Sequence, residues 1–192
     1  GRDYLRRARL FVIVDNLIAQ GRIEPIALAF INSSRGARYM EYACSDVTVR
    51  YLRDIVVPFA AAEMPLVEEP GAHAVMGASM GGVMALYAAL RAPATFGRVL
   101  SQSGAFSIGT HADQPDDLVV FPLVRLLEPP SLKVWMDVGV YEELADCNRR
   151  MRDLMMQRGY RFGYREYSGG HNFPSWRDDA PRGLEFLFPP RG

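Results

Sequence analysis

The stretch Ala74-Val-Met-Gly-Ala-Ser-Met-Gly-Gly-Val-Met84 passes from apolar residues through small ones and back to apolar residues. This pattern predicts a strand over residues 73–78, a tight turn, and a helix over about 80–91. The turn matches G-x-S-x-G, with the serine at position 79. A serine in a sharp strand-to-helix turn is lifted above the sheet, where its hydroxyl is accessible. The stretch therefore predicts an α/β fold with Ser79 as a nucleophile.

The small residues around Ser79 have a steric purpose in this prediction. Side chains at Gly77 and Gly81 are expected to collide across the turn, and Gly82 lets the new helix approach neighbouring strands. The first N–H groups of the helix point toward the hydroxyl, so the Met80 N–H is a candidate oxyanion donor. The alternatives are a packing turn and a phosphate-binding loop. No G-x-x-x-x-G-K-[ST] or G-x-G-x-x-G pattern supports the phosphate loop.

The rest of the chain alternates predicted helices and strands. Helices are predicted over residues 3–20, 46–63, 80–91, 142–158 and 175–188, and strands over 25–31, 73–78, 97–102, 132–138 and 161–167. The continuous apolar run 25–31 is typical of a strand covered on both faces. Ser45 or Asp46 is expected to cap the second helix, and Pro58 to kink it. The alternation predicts a mostly parallel sheet with helices on both faces.

In such sheets the functional crevice lies beyond the carboxyl ends of the strands. A serine hydroxyl needs a base, and the chain has three histidines. His171, in Ser168-Gly-Gly-His-Asn-Phe173, directly follows the last strand and is the favoured base. His73 begins a strand and is expected at the opposite end of the sheet. His111 lies in a long loop, and a solvent-exposed role is the simpler interpretation.

The acid that orients the histidine is expected between serine and histidine in chain order. The stretch Met136-Asp-Val-Gly-Val-Tyr-Glu-Glu-Leu144 follows a strand at the right place. Asp137 is expected to end the strand and to bond to backbone. Glu142 and Glu143 open a helix, whose dipole favours acidic residues. The pattern favours Glu142 over Glu143, and a Ser–His dyad without an acid stays open.

Taken together, these motifs resemble the putative-esterase family of α/β hydrolases, which includes enterochelin-type siderophore esterases, esterase D, feruloyl esterases and mycolyltransferases. The resemblance covers nearly the whole chain and is carried by residues 15–25, 77–82, 96–104, 137–142 and 169–177. It implies the α/β-hydrolase fold. It also implies that the acid falls three residues after Gly139, which favours Glu142.

The resemblance further implies strands that precede Gly1 in family members, and a second oxyanion donor from the loop after one of them. Gly1-Arg-Asp-Tyr4 is similar to the end of that loop, so the second donor is expected at residue 2 or 3, with Arg2 as the named candidate. We therefore expect residues 1–192 to be one catalytic domain, the carboxyl-terminal part of a longer polypeptide. Without the first strands a sheet edge is exposed, so a further amino-terminal segment or a homo-oligomer is expected to cover it.

Composition limits the partners. The 192 residues are 49% hydrophobic and carry a formal net charge of zero, which gives no reason to expect a nucleic acid or an anionic membrane as partner. No apolar run approaches the roughly 20 residues of a membrane span. A cytoplasmic protein is expected. Cys44 and Cys147 have no metal-like spacing, and two reduced thiols are favoured over a disulfide.

The expected function is hydrolysis of a small-molecule carboxylic ester through an acyl-enzyme, without a metal or organic cofactor. Residues that follow the strands are candidates for substrate contact, namely Arg35, Arg38, Glu41, Tyr42, Ser101, Gln102, Ser103, Trp176 and Arg177. Arginines beside aromatic residues suit an aryl or acidic acyl ester, such as a siderophore catecholate. An Arg38–Glu41 ion pair and a helix-packing Trp176 are the simpler interpretations of those residues. The alternatives are an acyltransferase of the same family and a non-catalytic scaffold.

Overall fold

The computed structural model describes residues 1–34, 36–108 and 116–190. Arg35 and His111 lie outside these ranges. The helices are α1 (Arg2–Arg6), α2 (Leu10–Ala19), α3 (Arg38–Tyr42), α4 (Asp46–Tyr51), α5 (Val57–Glu63), α6 (Met80–Arg91), α7 (Val120–Leu126), α8 (Ala145–Gln157) and α9 (Phe173–Leu187). The strands are β1 (His73–Ala78), β2 (Phe96–Gln102), β3 (Ser107–Ile108), β4 (Asp116–Asp117), β5 (Lys133–Gly139) and β6 (Arg161–Tyr167).

Four strands form one parallel sheet in the order β1-β2-β5-β6. Their bounds agree with the predicted strands to within one residue, and α6 follows β1 as predicted. Residues of α6, α7 and α8 fill a core on one face of this sheet, while α2 and α9 pack on the other face. The predicted α/β fold with a parallel sheet and helices on both faces is confirmed.

The close packing of α9 on the sheet depends on one glycine. A Cβ atom on Gly183 would lie 2.8 Å from side-chain atoms of Leu100 and Trp135. Because contacts that short do not occur, a larger residue there would push the helix away from the sheet. This packing matters for the site, since α9 begins two residues after His171.

The run 25–31 was predicted as a buried strand, and that prediction is wrong. The segment is extended, but within the described residues no backbone ladder joins it to the sheet. Ile26, Leu28 and Phe30 pack partly buried against the α2–α9 side, and the residues between them are exposed. An apolar run predicts burial, but a strand also needs a neighbour whose N–H and C=O groups pair with its own.

Two predicted helices are interrupted. The helix predicted over 3–20 breaks at Arg9, whose φ of 48° is left-handed, and Ala8 turns inward to 1% exposure. The helix predicted over 46–63 contains a π-helical turn over Leu52–Val56. Pro58 follows that turn, and because proline lacks an N–H and crowds the preceding turn, the regular ladder cannot continue through it. The Ser45 hydroxyl caps α4 through the Thr48 N–H at 3.3 Å.

Two further differences concern the second half of the chain. The helix predicted from residue 142 begins only at Ala145, which leaves Glu142 in the preceding turn. The long loop predicted after the second strand of the sheet contains a short helix, α7, whose Val120, Phe121 and Val124 are buried. Both cysteines are unpaired thiols, as favoured. Within the described ranges, no helix has the length and apolar character needed to cross a membrane.

Candidate active site

The turn at Ser79 is strained and firmly held. Ser79 has φ 59° and ψ −124°, which is unusual for any residue with a side chain. Its N–H donates to the Gln102 carbonyl at 2.9 Å, and its carbonyl accepts from the N–H groups of Gly82 at 2.9 Å and Ala105 at 3.2 Å. These bonds tie the turn to the end of β2. The hydroxyl is thereby held at the carboxyl end of the sheet.

The glycines around Ser79 do not contribute equally. A Cβ atom on Gly77 would lie 2.2 Å from the Gly81 carbonyl oxygen, so glycine is required at position 77. A Cβ atom on Gly81 would meet no atom within 4 Å, so the predicted collision at that position is wrong. Gly82 is required for a different reason, because its Cβ atom would lie 2.6 Å from the Ser101 hydroxyl. The close helix–strand approach predicted for Gly82 is confirmed.

Met80 opens α6, a helix of 12 residues. The first N–H groups of a helix have no partner inside it and carry partial positive charge. Within the described residues, the Met80 N–H makes no backbone or side-chain hydrogen bond, whereas the N–H groups of Ser79 and Gly82 do. The Met80 N–H is therefore free to bind an oxyanion formed next to Ser79.

The structure brings His171 and Glu142 together. The His171 Nδ1 atom lies 2.8 Å from Glu142 Oε2. The Glu142 side chain is fully buried, while the imidazole is 40% exposed. Because a carboxylate can only accept, the proton of this bond is on Nδ1, and Nε2 is left as an acceptor. Glu143 is exposed, and His73 lies at the amino end of β1, at the other end of the sheet.

The second carboxylate oxygen of Glu142 is also saturated with donors. Oε1 accepts from the Ser103 hydroxyl and the Gly139 N–H, each at 2.8 Å, and Tyr167 OH lies 3.5 Å away. Burial opposes the charged carboxylate, but the hydrogen bonds from His171, Ser103 and Gly139 hold the pKa of Glu142 below its usual range. Glu142 is therefore a charged acid at neutral pH.

Gly139 explains the spacing of the acid. A Cβ atom there would lie 2.7 Å from Glu142 Oε1 and 2.3 Å from the Gly169 carbonyl oxygen. Only glycine lets the carboxylate fold back onto the N–H at position 139 while the histidine loop passes alongside. Sequence reasoning used Gly139 as a position marker, but it missed this contact and the roles of Ser103 and Tyr167. Their positions at or after strand ends were the available signal.

Several of the residues predicted to contact substrate are buried. Gln102 is 0% exposed, and its side chain bonds to Tyr4 OH and to the Trp176 carbonyl, both at 2.9 Å. The prediction that Gln102 binds substrate is therefore wrong for this conformation. Trp176 is 5% exposed, packs edge-on against His171, and donates its Nε1–H to Ser103. The packing interpretation of Trp176 is the one the structure favours.

The other predicted contacts lie near the surface. Arg38 is exposed and stacks 5.8 Å from the Tyr42 ring, while Glu41 bonds to Ser34, so the expected Arg38–Glu41 pair does not form. Arg177 is exposed and pairs with Asp178. The backbone N–H of Arg2 donates to Asn32 Oδ1 at 2.6 Å and is not available as an oxyanion donor in this structure.

Asp137 was predicted to bond to backbone, but among the described residues its side chain bonds only to other side chains. Its Oδ2 accepts the Trp135 Nε1–H at 2.9 Å, and Gln102 Nε2 lies 3.4 Å away. The other oxygen is buried with no partner in the described part of the chain. Burial, reinforced by the nearby Asp179 carboxylate, raises the pKa of Asp137 well above its usual range. Burial therefore disfavours the charged form of Asp137, which lies behind the site.

Ser79 and His171 line one cleft of about 1920 Å³. Its walls are largely apolar and include Phe30 and Met76. In this structure no hydrogen bond joins the Ser79 hydroxyl to the imidazole, and such bonds commonly tighten only when substrate is bound. Among the described residues, no group of three histidine, cysteine, aspartate or glutamate side chains is placed to hold a metal ion.

A parallel sheet covered on both faces, with a strained serine turn and a histidine loop at the same end, defines an α/β hydrolase. Comparison with known families agrees with this class. The model of the family described as "Putative esterase" matches residues 1–187, so the chain belongs to the putative-esterase family. The resemblance seen in the sequence is thus confirmed.

Two curated proteins that are similar to the chain are both iron(III) enterobactin esterases. The chain is 31% identical to the iron(III) enterobactin esterase of Dickeya dadantii (strain 3937) over 97% of its own length and 46% of the relative's. The corresponding protein of Escherichia coli (strain K12) is 28% identical, over 99% and 48%. The chain thus spans about half the length of the curated relatives it matches.

A solved structure has the same fold. The enterobactin esterase from Shigella flexneri, crystallised in the presence of 2,3-di-hydroxy-N-benzoyl-glycine, superposes with a TM-score of 0.88 at 22% identity. The superposition covers 97% of the chain and 50% of the solved protein. At this identity the likeness establishes the α/β-hydrolase fold.

Proposed function

We propose that the chain is a serine esterase that hydrolyses a carboxylic ester through an acyl-enzyme. The observation that carries the proposal is the arrangement around one cleft. Ser79 is held in a strained turn, and His171, on the same cleft, keeps Nδ1 2.8 Å from the buried carboxylate of Glu142. Membership of the putative-esterase family supports this reaction class.

In the first half-reaction, the Ser79 hydroxyl oxygen attacks the ester carbonyl carbon while His171 Nε2 takes its proton. Glu142 holds the proton on Nδ1 and stabilises the positive imidazolium that forms. The negative charge that develops on the carbonyl oxygen is bound by the Met80 N–H. The intermediate then collapses, the bond to the alcohol oxygen breaks, and the imidazolium donates its proton to the departing alcohol.

In the second half-reaction, a water molecule takes the place of the alcohol. His171 Nε2 removes one proton as the water oxygen attacks the acyl carbon, and then returns it to Ser79 as the acid is released. This chemistry requires no metal and no organic cofactor. The exposure of the imidazole, 40% of its side chain, leaves room for water to reach Nε2.

For the substrate, we propose an ester with an aromatic acyl group. The cleft is large and mainly apolar, and the two relatives described above are iron(III) enterobactin esterases. Arg38 beside Tyr42 at the rim could bind the charged or phenolic edge of such an acyl group. Gln102 has no part in this proposal because it is buried, and Trp176 contributes through His171 rather than through substrate.

The test is covalent labelling with a fluorophosphonate, followed by peptide mass spectrometry. An adduct on Ser79 that is absent in Ser79→Ala is the expected result. Ser168→Ala is the matched control, because this exposed hydroxyl lies three residues before His171 and outside the proposed chemistry. It should label like the unmodified chain.

Hydrolysis of aryl and short-chain nitrophenyl esters then defines the acyl preference, and product analysis with an added alcohol separates hydrolysis from acyl transfer. Full labelling with a faster reaction on aryl esters supports both parts of the proposal. If Ser79 is not labelled in a folded protein, the esterase mechanism is wrong for this chain.

A further inference from the structure

The Ser103 hydroxyl occupies an unusual position in the site. Its residue is 0% exposed and has φ 46°, a left-handed conformation that disfavours side chains. The backbone is fixed by the Ser103 N–H, which donates to the Asp137 carbonyl at 2.7 Å. The strain places the hydroxyl 2.8 Å from Glu142 Oε1. A strained residue whose side chain reaches a functional carboxylate points to a role beyond packing.

Trp176 determines the direction in which this hydroxyl donates. The indole Nε1–H lies 2.8 Å from Ser103 Oγ. Because an indole can only donate, the Ser103 oxygen must be the acceptor in that bond. The single hydroxyl proton is then directed at Glu142 Oε1. The bonds run in one direction, from the Trp176 indole through the Ser103 hydroxyl to the carboxylate.

The same tryptophan also contacts the base. The Trp176 and His171 rings meet edge-to-face, with centroids 4.9 Å apart and an interplanar angle of 86°. One side chain therefore limits the tilt of the imidazole and, through Ser103, the rotation of the carboxylate that binds it. With Oε1 held by Ser103 and Gly139, only Oε2 is presented to Nδ1.

We propose that Ser103 and Trp176 are positioning residues that act as one relay, which fixes the Glu142 carboxylate and so holds the His171 imidazole in its productive orientation. The inference rests on the proposed esterase function, but the hydrogen-bond relay itself can be measured without catalysis. A hydrogen bond to a charged group is worth enough to change a rate by about tenfold when it is lost.

The experiment uses Ser103→Ala, Trp176→Phe and the double variant, assayed on an aryl nitrophenyl ester. Each single change should lower kcat about tenfold and leave KM unchanged. Because both changes break the same relay, the double variant should be no slower than the slower single variant. Multiplied losses in the double variant would show two independent effects and overturn the relay.

Two control variants separate the effect of losing the Ser103 hydroxyl from the effects of backbone strain and of general damage to the fold. Ser103→Gly also removes the hydroxyl, but it suits the left-handed backbone, so it should lose as much kcat as Ser103→Ala while folding at least as well. Recovered activity in Ser103→Gly would mean that strain, and not the hydroxyl, causes the loss. Trp135→Phe removes the other indole N–H, which bonds to Asp137, and should leave kcat within about twofold.

The readout without catalysis is the downfield proton resonance of the His171 Nδ1–H, assigned by its absence in His171→Gln. If the relay exists, the His171 Nδ1–H resonance should shift or broaden in Ser103→Ala, and by the same amount in the double variant. An unchanged resonance and unchanged kcat would overturn the relay while the esterase stands. A shifted resonance in a chain that is not labelled at Ser79 would support the relay and reject the esterase mechanism.

Discussion

Asp137 and Glu142 lie five residues apart at the end of β5, and both carboxyl groups are buried, yet their surroundings differ. Glu142 receives the Ser103 hydroxyl, the Gly139 N–H and the His171 Nδ1–H at 2.8 Å each. Asp137 receives one short bond, from Trp135, and one of its oxygens has no partner in the described part of the chain. The pKa of Glu142 is lowered, and that of Asp137 is raised well above its usual range.

The difference shows that burial alone does not set the charge of a carboxyl group here. Burial opposes ionisation of both groups, but only Glu142 has enough directed donors to overcome it. The result is a carboxylate whose charged form is stabilised against the imidazole, and behind it a carboxyl group whose charged form is disfavoured. A second negative charge beside Glu142 would repel it, so the raised pKa of Asp137 suits the site.

The largest effect should come from removing the charge of Glu142. Glu142→Gln should lower kcat on a nitrophenyl ester by about 10³- to 10⁴-fold, because the neutral amide neither fixes the proton on Nδ1 nor stabilises the imidazolium. Asp137→Asn should keep kcat within about threefold, because the Asp137 side chain bonds to Trp135 and Gln102 rather than to His171. The measurement is steady-state kinetics of both variants beside the unmodified chain.

These outcomes discriminate between the two acids. A loss in Asp137→Asn as large as that in Glu142→Gln would mean that both carboxyl groups serve the imidazole. Small losses in both would favour the Ser–His dyad that the sequence leaves open. Thermal unfolding of each variant shows whether a loss of activity is only a loss of folded protein.

The positions of the candidate site residues could be predicted because each follows a strand and is marked by glycine. Ser79 lies between Gly77 and Gly81, His171 follows Gly169-Gly170, and Glu142 falls three residues after Gly139. The relay through Ser103 and Trp176 could not be predicted. It depends on a hydroxyl rotor and on an indole 73 residues away, and neither leaves a local pattern in the sequence.

The fold could be predicted where a segment has the apolar pattern of a strand and also lies next to another strand that pairs with it. The strands of the parallel sheet have apolar runs and glycine or polar ends, and their bounds matched. The run 25–31 has a similar apolar composition, but no strand among the described residues pairs with it, and composition does not report on partners. The break at Arg9 was equally hidden, because arginine has no preference for a left-handed backbone.

A smaller effect is expected from the glycine that lets Glu142 fold back. Gly139→Ala places a Cβ atom 2.3 Å from the Gly169 carbonyl and 2.7 Å from Glu142 Oε1, so backbone must move. The expected cost is about 2 kcal/mol in the free energy of unfolding, with a lower kcat because the acid is displaced. Urea unfolding and ester kinetics measure the two losses.

Gly170→Ala is the matched change in the histidine loop. Its Cβ atom would meet only Asn172 Nδ2, at an ordinary 3.6 Å. Stability and kcat should stay within about 0.5 kcal/mol and twofold of the unmodified chain. If Gly139→Ala were equally harmless, the carboxylate would not need the space that the structure gives it, and the contrast between the two carboxyl groups would weaken.

The contrast should also appear in how stability depends on pH, where the two acids act with opposite signs. Glu142, with its lowered pKa, stabilises the fold above its unfolded value of 4.5, and this contribution is lost as pH falls through the folded value. Asp137, with its raised pKa, contributes fully below its unfolded value of 3.8, and this contribution is lost as pH rises toward the folded value.

Relative to the unmodified chain, Asp137→Asn should therefore gain stability as pH rises above 3.8, by at most about 1.4 kcal/mol per pH unit. Glu142→Gln should instead approach the unmodified chain as pH falls below 4.5. Urea unfolding from pH 3.5 to 7.5 measures both, and parallel curves for the two variants would show that the carboxyl groups do not differ in charge.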